Sequence, residues 1–199
     1  MLYTIEDLLI KFNDYNSPYT KISREVSDGK LIKLKRGLYL DDPKTDPYAV
    51  AQYLYSPSYI SFETALYYHG MIPETVVVIK SATFNKKKSK EFYNYLGKYE
   101  YEDIPENAFP YAVDIVRNKE YSVSIASKEK ALTDTLYKLP QRRSVRDIEV
   151  MLFDDLRINE IVFDSLDHEL LGKLCDLYSS SNLKALQKYL KKEGLINDQ

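Results

Sequence analysis

The stretch "GKLIKLKRGLYL", residues 29–40, limits the possible folds more than any other. Ile32 and Leu34 alternate with Lys33 and Lys35, which is the period of a strand with one covered face. Gly37 then interrupts the pattern with the residue type that a tight turn accepts most readily. A β-hairpin tipped by Arg36-Gly37 is expected, with Ile32 and Leu34 facing inward and Lys33 and Lys35 left to solvent or an anionic ligand. Cations at Lys30, Lys33, Lys35 and Arg36 sit oddly in a chain of formal net charge -2, and such a cluster calls for an anionic partner.

The residues before this hairpin read as two short helices. Thr4 can cap the first, whose Ile5, Leu8, Leu9 and Phe12 fall on one stripe, with Glu6 and Asp7 in its first turn. "DYN" breaks it, Ser17-Pro18 starts the second, and Gly29 ends that one. At helical spacing Tyr19, Ile22 and Val26 lie on one side, and Thr20, Lys21, Ser23, Arg24 and Ser27 on the other. A helix packed by one stripe and followed at once by a basic hairpin is the winged helix-turn-helix plan, with the second helix for the major groove and the wing for phosphate. The same residues also allow a simpler reading, a helical pair and a β-hairpin whose lysines only keep the surface solvated.

Charge distribution sharpens the contrast between the two ends. Between Ser17 and Leu38 the six basic residues Lys21, Arg24, Lys30, Lys33, Lys35 and Arg36 face only Glu25 and Asp28, so this part carries +4 and the remainder -6. A basic module therefore precedes an acidic body, and the boundary is expected near residues 41–46, giving domains 1–44 and 45–199. In the body, Asp46-Pro47 opens a helix to about Tyr55, and Ser61 opens another that places Phe62, Ala65, Leu66 and His69 on one face before Gly70. Thr75–Ile79 reads as a central strand. Phe92–Glu102 reads as a hairpin turning at Gly97-Lys98 with Tyr93 and Tyr95 opposite Tyr99 and Tyr101, and Tyr111–Ala126 as another turning at Asn118-Lys119. Helices resume at Ser127, and a helical tail, 141–199, closes the chain with Leu183, Leu186 and Leu190. The expected class is α+β, with a mainly antiparallel sheet.

Several chemistries lack their residue patterns. Cys175 is the single cysteine, which excludes an internal disulfide and a cysteine-rich zinc site. The six glycines are dispersed, so no phosphate-cradling loop exists, and GxSxG, HExxH and P-loop patterns are absent, as is the Gly-Ser with downstream carboxylates of a nucleotidyltransferase. His69 and His168 have no evident nucleophile or further ligands, so no catalytic residue, cofactor or metal is expected. No run of 18 apolar residues occurs and the N-terminus is too acidic for a signal peptide, so a soluble cytoplasmic protein is expected. The run Asn85-Lys-Lys-Lys-Ser-Lys90 reads as a solvated loop, with a second nucleic-acid contact or an acidic partner as alternatives. The tyrosines of "SYISFETALYYHG" read as core, leaving Tyr55, Tyr59 or Tyr68 for a protein interface.

Four stretches together, "GKLIKLKRGLYL" (29–40), "SPSYISFETALYYHGMIPE" (56–74), "YLGKYEYEDIP" (95–105) and "SVSIASKEKALTDTLY" (122–137), resemble the AbiEi family. These are the antitoxin and transcriptional-repressor components of bacterial abortive-infection, or type IV toxin–antitoxin, systems. The resemblance covers roughly residues 17–140 and departs from the family where "DYN" replaces a further short helix. It implies a winged-helix domain that represses the operon and a C-terminal domain that counters a nucleotidyltransferase-like toxin, directly or functionally. DNA contact then falls on Thr20, Lys21, Ser23, Arg24 and Ser27 of the second helix and on Lys33, Lys35 and Arg36 of the wing. Arg24 suits a guanine edge, although an ion pair with Asp28 four residues on is the competing use. The implied partner is double-stranded promoter DNA with repeated half-sites, on which copies self-associate. The alternative is a protein-interaction module that binds its partner through the C-terminal domain and has no DNA role.

Overall fold

The computed structural model describes residues 1–118 and 121–197. The chain opens with β1 (Leu2–Thr4), α1 (Ile5–Lys11), α2 (Pro18–Ser27), β2 (Ile32–Lys35) and β3 (Leu38–Leu40). The strands form an antiparallel sheet in the order β1-β3-β2. Strand alternation sends Tyr39 into a small core with Leu8, Ile22 and Leu31, beneath the helices. Leu38 and Leu40 point the other way and, with Leu34, join the main core of the protein. This corrects the expected facing of β2: Ile32 and Leu34 pack on the body, not on the two helices. The reason is that a second layer covers the sheet, and a strand buried on both faces needs an apolar residue at every position, as Leu38-Tyr39-Leu40 has.

The body follows as α3 (Pro47–Leu54), β4 (Tyr59–Ile60), α4 (Phe62–Tyr68), β5 (Val78–Thr83), β6 (Lys90–Asn94), β7 (Gly97–Asp103), β8 (Val113–Asn118) and β9 (Tyr121–Ala126). The tail contains α5 (Lys128–Lys138), α6 (Val145–Val150) running on through a π-helical turn at Met151–Asp155, α7 (Glu160–Asp164), α8 (His168–Cys175) and α9 (Ser181–Lys192). The overall class is α+β. The large sheet runs β6-β7-β5-β4-β9-β8 and is mixed, because its interior pairs β5–β7 and β4–β9 are parallel while the others are antiparallel. Among the described residues no helix is long and apolar enough to cross a membrane.

Two strand assignments shift. The central strand begins at Val78 instead of Thr75, and Val77 is 85% exposed. Thr64 of α4 fixes that start: its hydroxyl donates to the Val78 carbonyl at 3.0 Å and accepts the Lys80 N–H at 2.9 Å. The β6–β7 hairpin turns at Tyr95-Leu96, where the Asn94 side chain accepts the Leu96 N–H at 2.9 Å, and not at Gly97-Lys98. Phe92 therefore lies opposite Tyr99, and Lys90 opposite Tyr101. Tyr93 and Tyr95 are exposed, while Tyr99 and Tyr101 are buried and donate to the Pro47 and Ala51 carbonyls of α3. The β8–β9 hairpin is present, although Lys119 at its expected tip lies outside the described residues.

Helix α5 is the hub. Every residue from Glu129 to Leu136 is buried, Lys130 and Asp134 among them. Lys130 Nζ meets Asp134 Oδ1 at 3.1 Å, the Ala108 carbonyl at 2.8 Å and the Tyr178 hydroxyl, so all its donors are used. Asp134 also accepts from Tyr178 at 2.5 Å, Tyr59 at 2.9 Å and Ser61 at 2.7 Å. Burial pushes the Lys130 ammonium below its usual range and holds both tyrosine hydroxyls well above theirs. Asn182 at the start of α9 donates to the Leu136 carbonyl at 2.7 Å and the Leu139 carbonyl at 3.2 Å, closing the C-terminal end of α5.

Breaking a buried pair leaves a desolvated charge without a partner. Asp134→Ala is therefore expected to cost about 3–5 kcal/mol in urea unfolding followed by circular dichroism. The double variant Lys130→Met/Asp134→Leu should lose clearly less, because it removes both charges together.

Candidate nucleic-acid interface

The N-terminal module is held by local chemistry that its sequence spells out. Thr4 and Asp7 make a reciprocal cap on α1, with the Thr4 N–H donating to Asp7 at 2.8 Å and the Asp7 N–H to Thr4 Oγ1 at 3.2 Å. Pro18 opens α2, and Gly29 at φ +71 ends it. The Glu25 carbonyl then accepts the N–H groups of both Lys30 and Leu31, which aims the chain into β2.

On the outward side of α2, Thr20 and Arg24 are exposed, the Thr20 hydroxyl sharing a 2.8 Å bond with Ser17. Ser23 and Ser27 are exposed too, but their hydroxyls donate to the carbonyls one turn back, at 3.0 Å each, leaving only their oxygen lone pairs for a ligand. Lys21 is engaged by Glu25 at 2.6 Å and lies over the Tyr15 ring at 4.9 Å. Arg24 makes no ion pair among the described residues; Asp28, its competing partner in the sequence, faces Lys30 at 3.6 Å. Tyr19, expected in the packing stripe with Ile22 and Val26, is 64% exposed, because the small core closes on Ile22 and Leu31 without it.

In the hairpin, Lys33 and Arg36 are exposed and make no ion pair among the described residues. Lys35 is the exception to the expected outward pattern. A bulge between Lys33 and Lys35 shifts the register, and Lys35 Nζ turns toward the body to donate to the Leu54 carbonyl at 2.8 Å. Burial lowers its pKa. Tyr19 and Arg36 share one open groove with Lys35 and Tyr53 of α3. Nothing in the local sequence pattern singles out Tyr53, whose place at this seam depends on the docking of module and body.

The histidines take structural roles: His69, at the C-terminal cap of α4, bonds the Ala126 carbonyl at 2.7 Å, and His168 bonds that of Phe163 at 3.0 Å. Among the described residues no group of His, Cys, Asp or Glu could hold a metal ion. Tyr59, held as an interface candidate, is buried in the polar cluster of α5, whereas Tyr68 is exposed and Tyr55 half-buried.

No protein-family model matches the chain, and no curated protein matches it. Among solved structures, the crystal structure of the RV2827C protein from Mycobacterium tuberculosis is similar at a TM-score of 0.48 and 14% identity, over 95% of this chain and 76% of that one. A likeness that distant carries no functional argument.

The Lys21 hydrogen bond holds the Glu25 carboxyl below the usual carboxylate range. The stabilisation it adds is complete above the unfolded value of about 4.3 and is lost as pH falls through the lower folded value. Hydrogen-exchange protection at the Lys30 and Leu31 amides should accordingly fall in mildly acidic solution below about pH 4. Glu25→Gln should remove that acid step and leave the rest of the profile in place.

Proposed function

We propose that this chain is the antitoxin and autorepressor of a toxin–antitoxin operon, with residues 1–44 acting as a compact winged helix on promoter DNA. One observation carries the reading: Arg24 on α2 and Lys33 and Arg36 on the following hairpin are exposed cations that no carboxylate neutralises among the described residues. A module whose acidic residues are largely engaged by capping and by Lys21 or Lys30 leaves these three for an anion. α2 would enter the major groove with Thr20 and Arg24 toward base edges, while Lys33 and Arg36 bind phosphate. Lys21 and Lys35 are already held by Glu25 and the Leu54 carbonyl, while Ser23 and Ser27 keep only their oxygen lone pairs for the DNA.

The body is the proposed arm against a nucleotidyltransferase-like toxin. Tyr67 and Tyr68 on α4 offer exposed aromatic area of the kind that protein interfaces use. The same tyrosines serve the alternative in which the chain binds a protein partner and no DNA. A single short module reads few base pairs, so specific binding would use two copies on repeated half-sites.

Fluorescence anisotropy against the DNA upstream of the gene, with a shuffled control, tests the reading. Arg36→Ala should weaken binding to both sequences and reduce the slope of log affinity against log salt by about 0.9. Arg24→Ala should cost about 1–3 kcal/mol on the specific sequence and narrow the preference over the control. If the wild-type protein binds neither duplex, the DNA reading is wrong and the protein-interaction alternative stands.

A further inference from the structure

The large sheet ends differently on its two sides. β6 at one end carries Lys90 and Glu91 and lies against β2, a charged and covered edge of the kind that resists further pairing. β8 at the other end has no strand beyond it among the described residues. At its centre Ile115 is 67% exposed and Val116 37%. A bare edge with apolar side chains at its middle is a template for another strand.

What this edge offers follows from the pairing on its inner side. The Ser127 N–H donates to the Ala112 carbonyl at 2.9 Å, one step beyond the register in which Val113 faces Ala126. Antiparallel strands alternate bonded and non-bonded pairs, so Ala112, Asp114 and Val116 turn their backbone groups toward β9. Val113, Ile115 and Arg117 turn theirs outward. Side chains alternate too: Asp114 and Val116 share a face with the buried Ile125 and Val123 that they pair with, and Ile115 lies on the other face. Arg117 lines, with Val116, the apolar cleft walled by Tyr48 and Tyr68, which brings its charge to the Val116 side. Asp46 at the same cleft is occupied as the cap of α3, accepting the Tyr48 N–H at 2.9 Å. Asp114 and Arg117 are exposed and make no ion pair among the described residues.

We infer that two copies of this chain pair through β8, antiparallel and about a two-fold axis at Ile115. A second copy is the occupant because the edge is complementary to itself. With Ile115 opposite the partner's Ile115, Val113 faces the partner's Arg117, and every outward N–H and carbonyl of Val113, Ile115 and Arg117 finds its counterpart. The partner's Asp114 then falls opposite Val116, beside the free charge of Arg117, and the symmetry repeats that ion pair. Moving the axis to Asp114 or to Arg117 would set like charges face to face, so charge fixes the register. This pairing does not depend on the DNA reading of the N-terminal module.

Sedimentation equilibrium of the full chain without DNA, over a wide range of concentration, tests the pairing. Wild type should pass reversibly from one chain to two. Ile115→Lys sets two ammonium groups against each other at the axis and should raise the dimer dissociation constant by at least about tenfold. Asp114→Arg should weaken the dimer as well, and the exchange Asp114→Arg/Arg117→Asp should restore it, since opposite charges meet again. The three side chains are exposed, so thermal melting of each variant by circular dichroism should match wild type. A wild type that stays a single chain at every concentration overturns the inference. So does a dimer that Ile115→Lys leaves intact, or a charge exchange that fails to rescue. None of these outcomes bears on the N-terminal module, whose DNA binding is measured separately.

Discussion

The ion pair of Lys130 and Asp134 is the interaction on which the rest of the body depends. Its partners come from β4, the start of α4, the segment after β7 and the segment between α8 and α9, so the sheet, the helices upon it and the tail meet at one buried point. A charged pair with no exposure is tolerable only when nearly every donor and acceptor is satisfied. Here Tyr59, Ser61, Tyr178 and the Ala108 carbonyl complete the set, which ties the tail to the sheet. The segment after residue 140 is therefore structural: it supplies Tyr178 to the pair and Asn182 to the end of α5.

A second constraint acts at the other end of the chain. Leu34, Leu38 and Leu40 belong to the main core although they lie on the N-terminal sheet. Lys35 adds a bond to the last carbonyl of α3. The module is thus docked on the body through an apolar face, and any ligand that engages α2 and the hairpin meets a body surface at a fixed position.

Local chemistry was legible where it depends on near neighbours. Thr4 with Asp7, Pro18 with Gly29, Asp46-Pro47 and Ser127 each mark a helix start or end that the structure keeps. What periodicity could not settle was which face of β2 is inward, because alternation gives two faces and only the neighbouring layer tells which is covered. Tyr19 shows the same gap, since an aromatic at an apolar position counts as core until the partner surface is known. The parallel pairs β5–β7 and β4–β9 were hidden for a related reason, as no local signal reports a pairing between strands distant in sequence.

The sequence by itself determined an α+β chain with a basic, helix-helix-hairpin beginning and the residue types of its exposed cations. Those features follow from spacing, capping residues and charge, all of which act within a few positions. The tertiary structure decided which cations remain free: it turned Lys35 toward the body, let Glu25 engage Lys21, and left Arg24, Lys33 and Arg36 exposed. It also brought the lysine loop to the edge of the hairpin through Phe92. Side-chain direction and proximity across the chain are set by packing, where a buried charge must find partners and an apolar face must find cover.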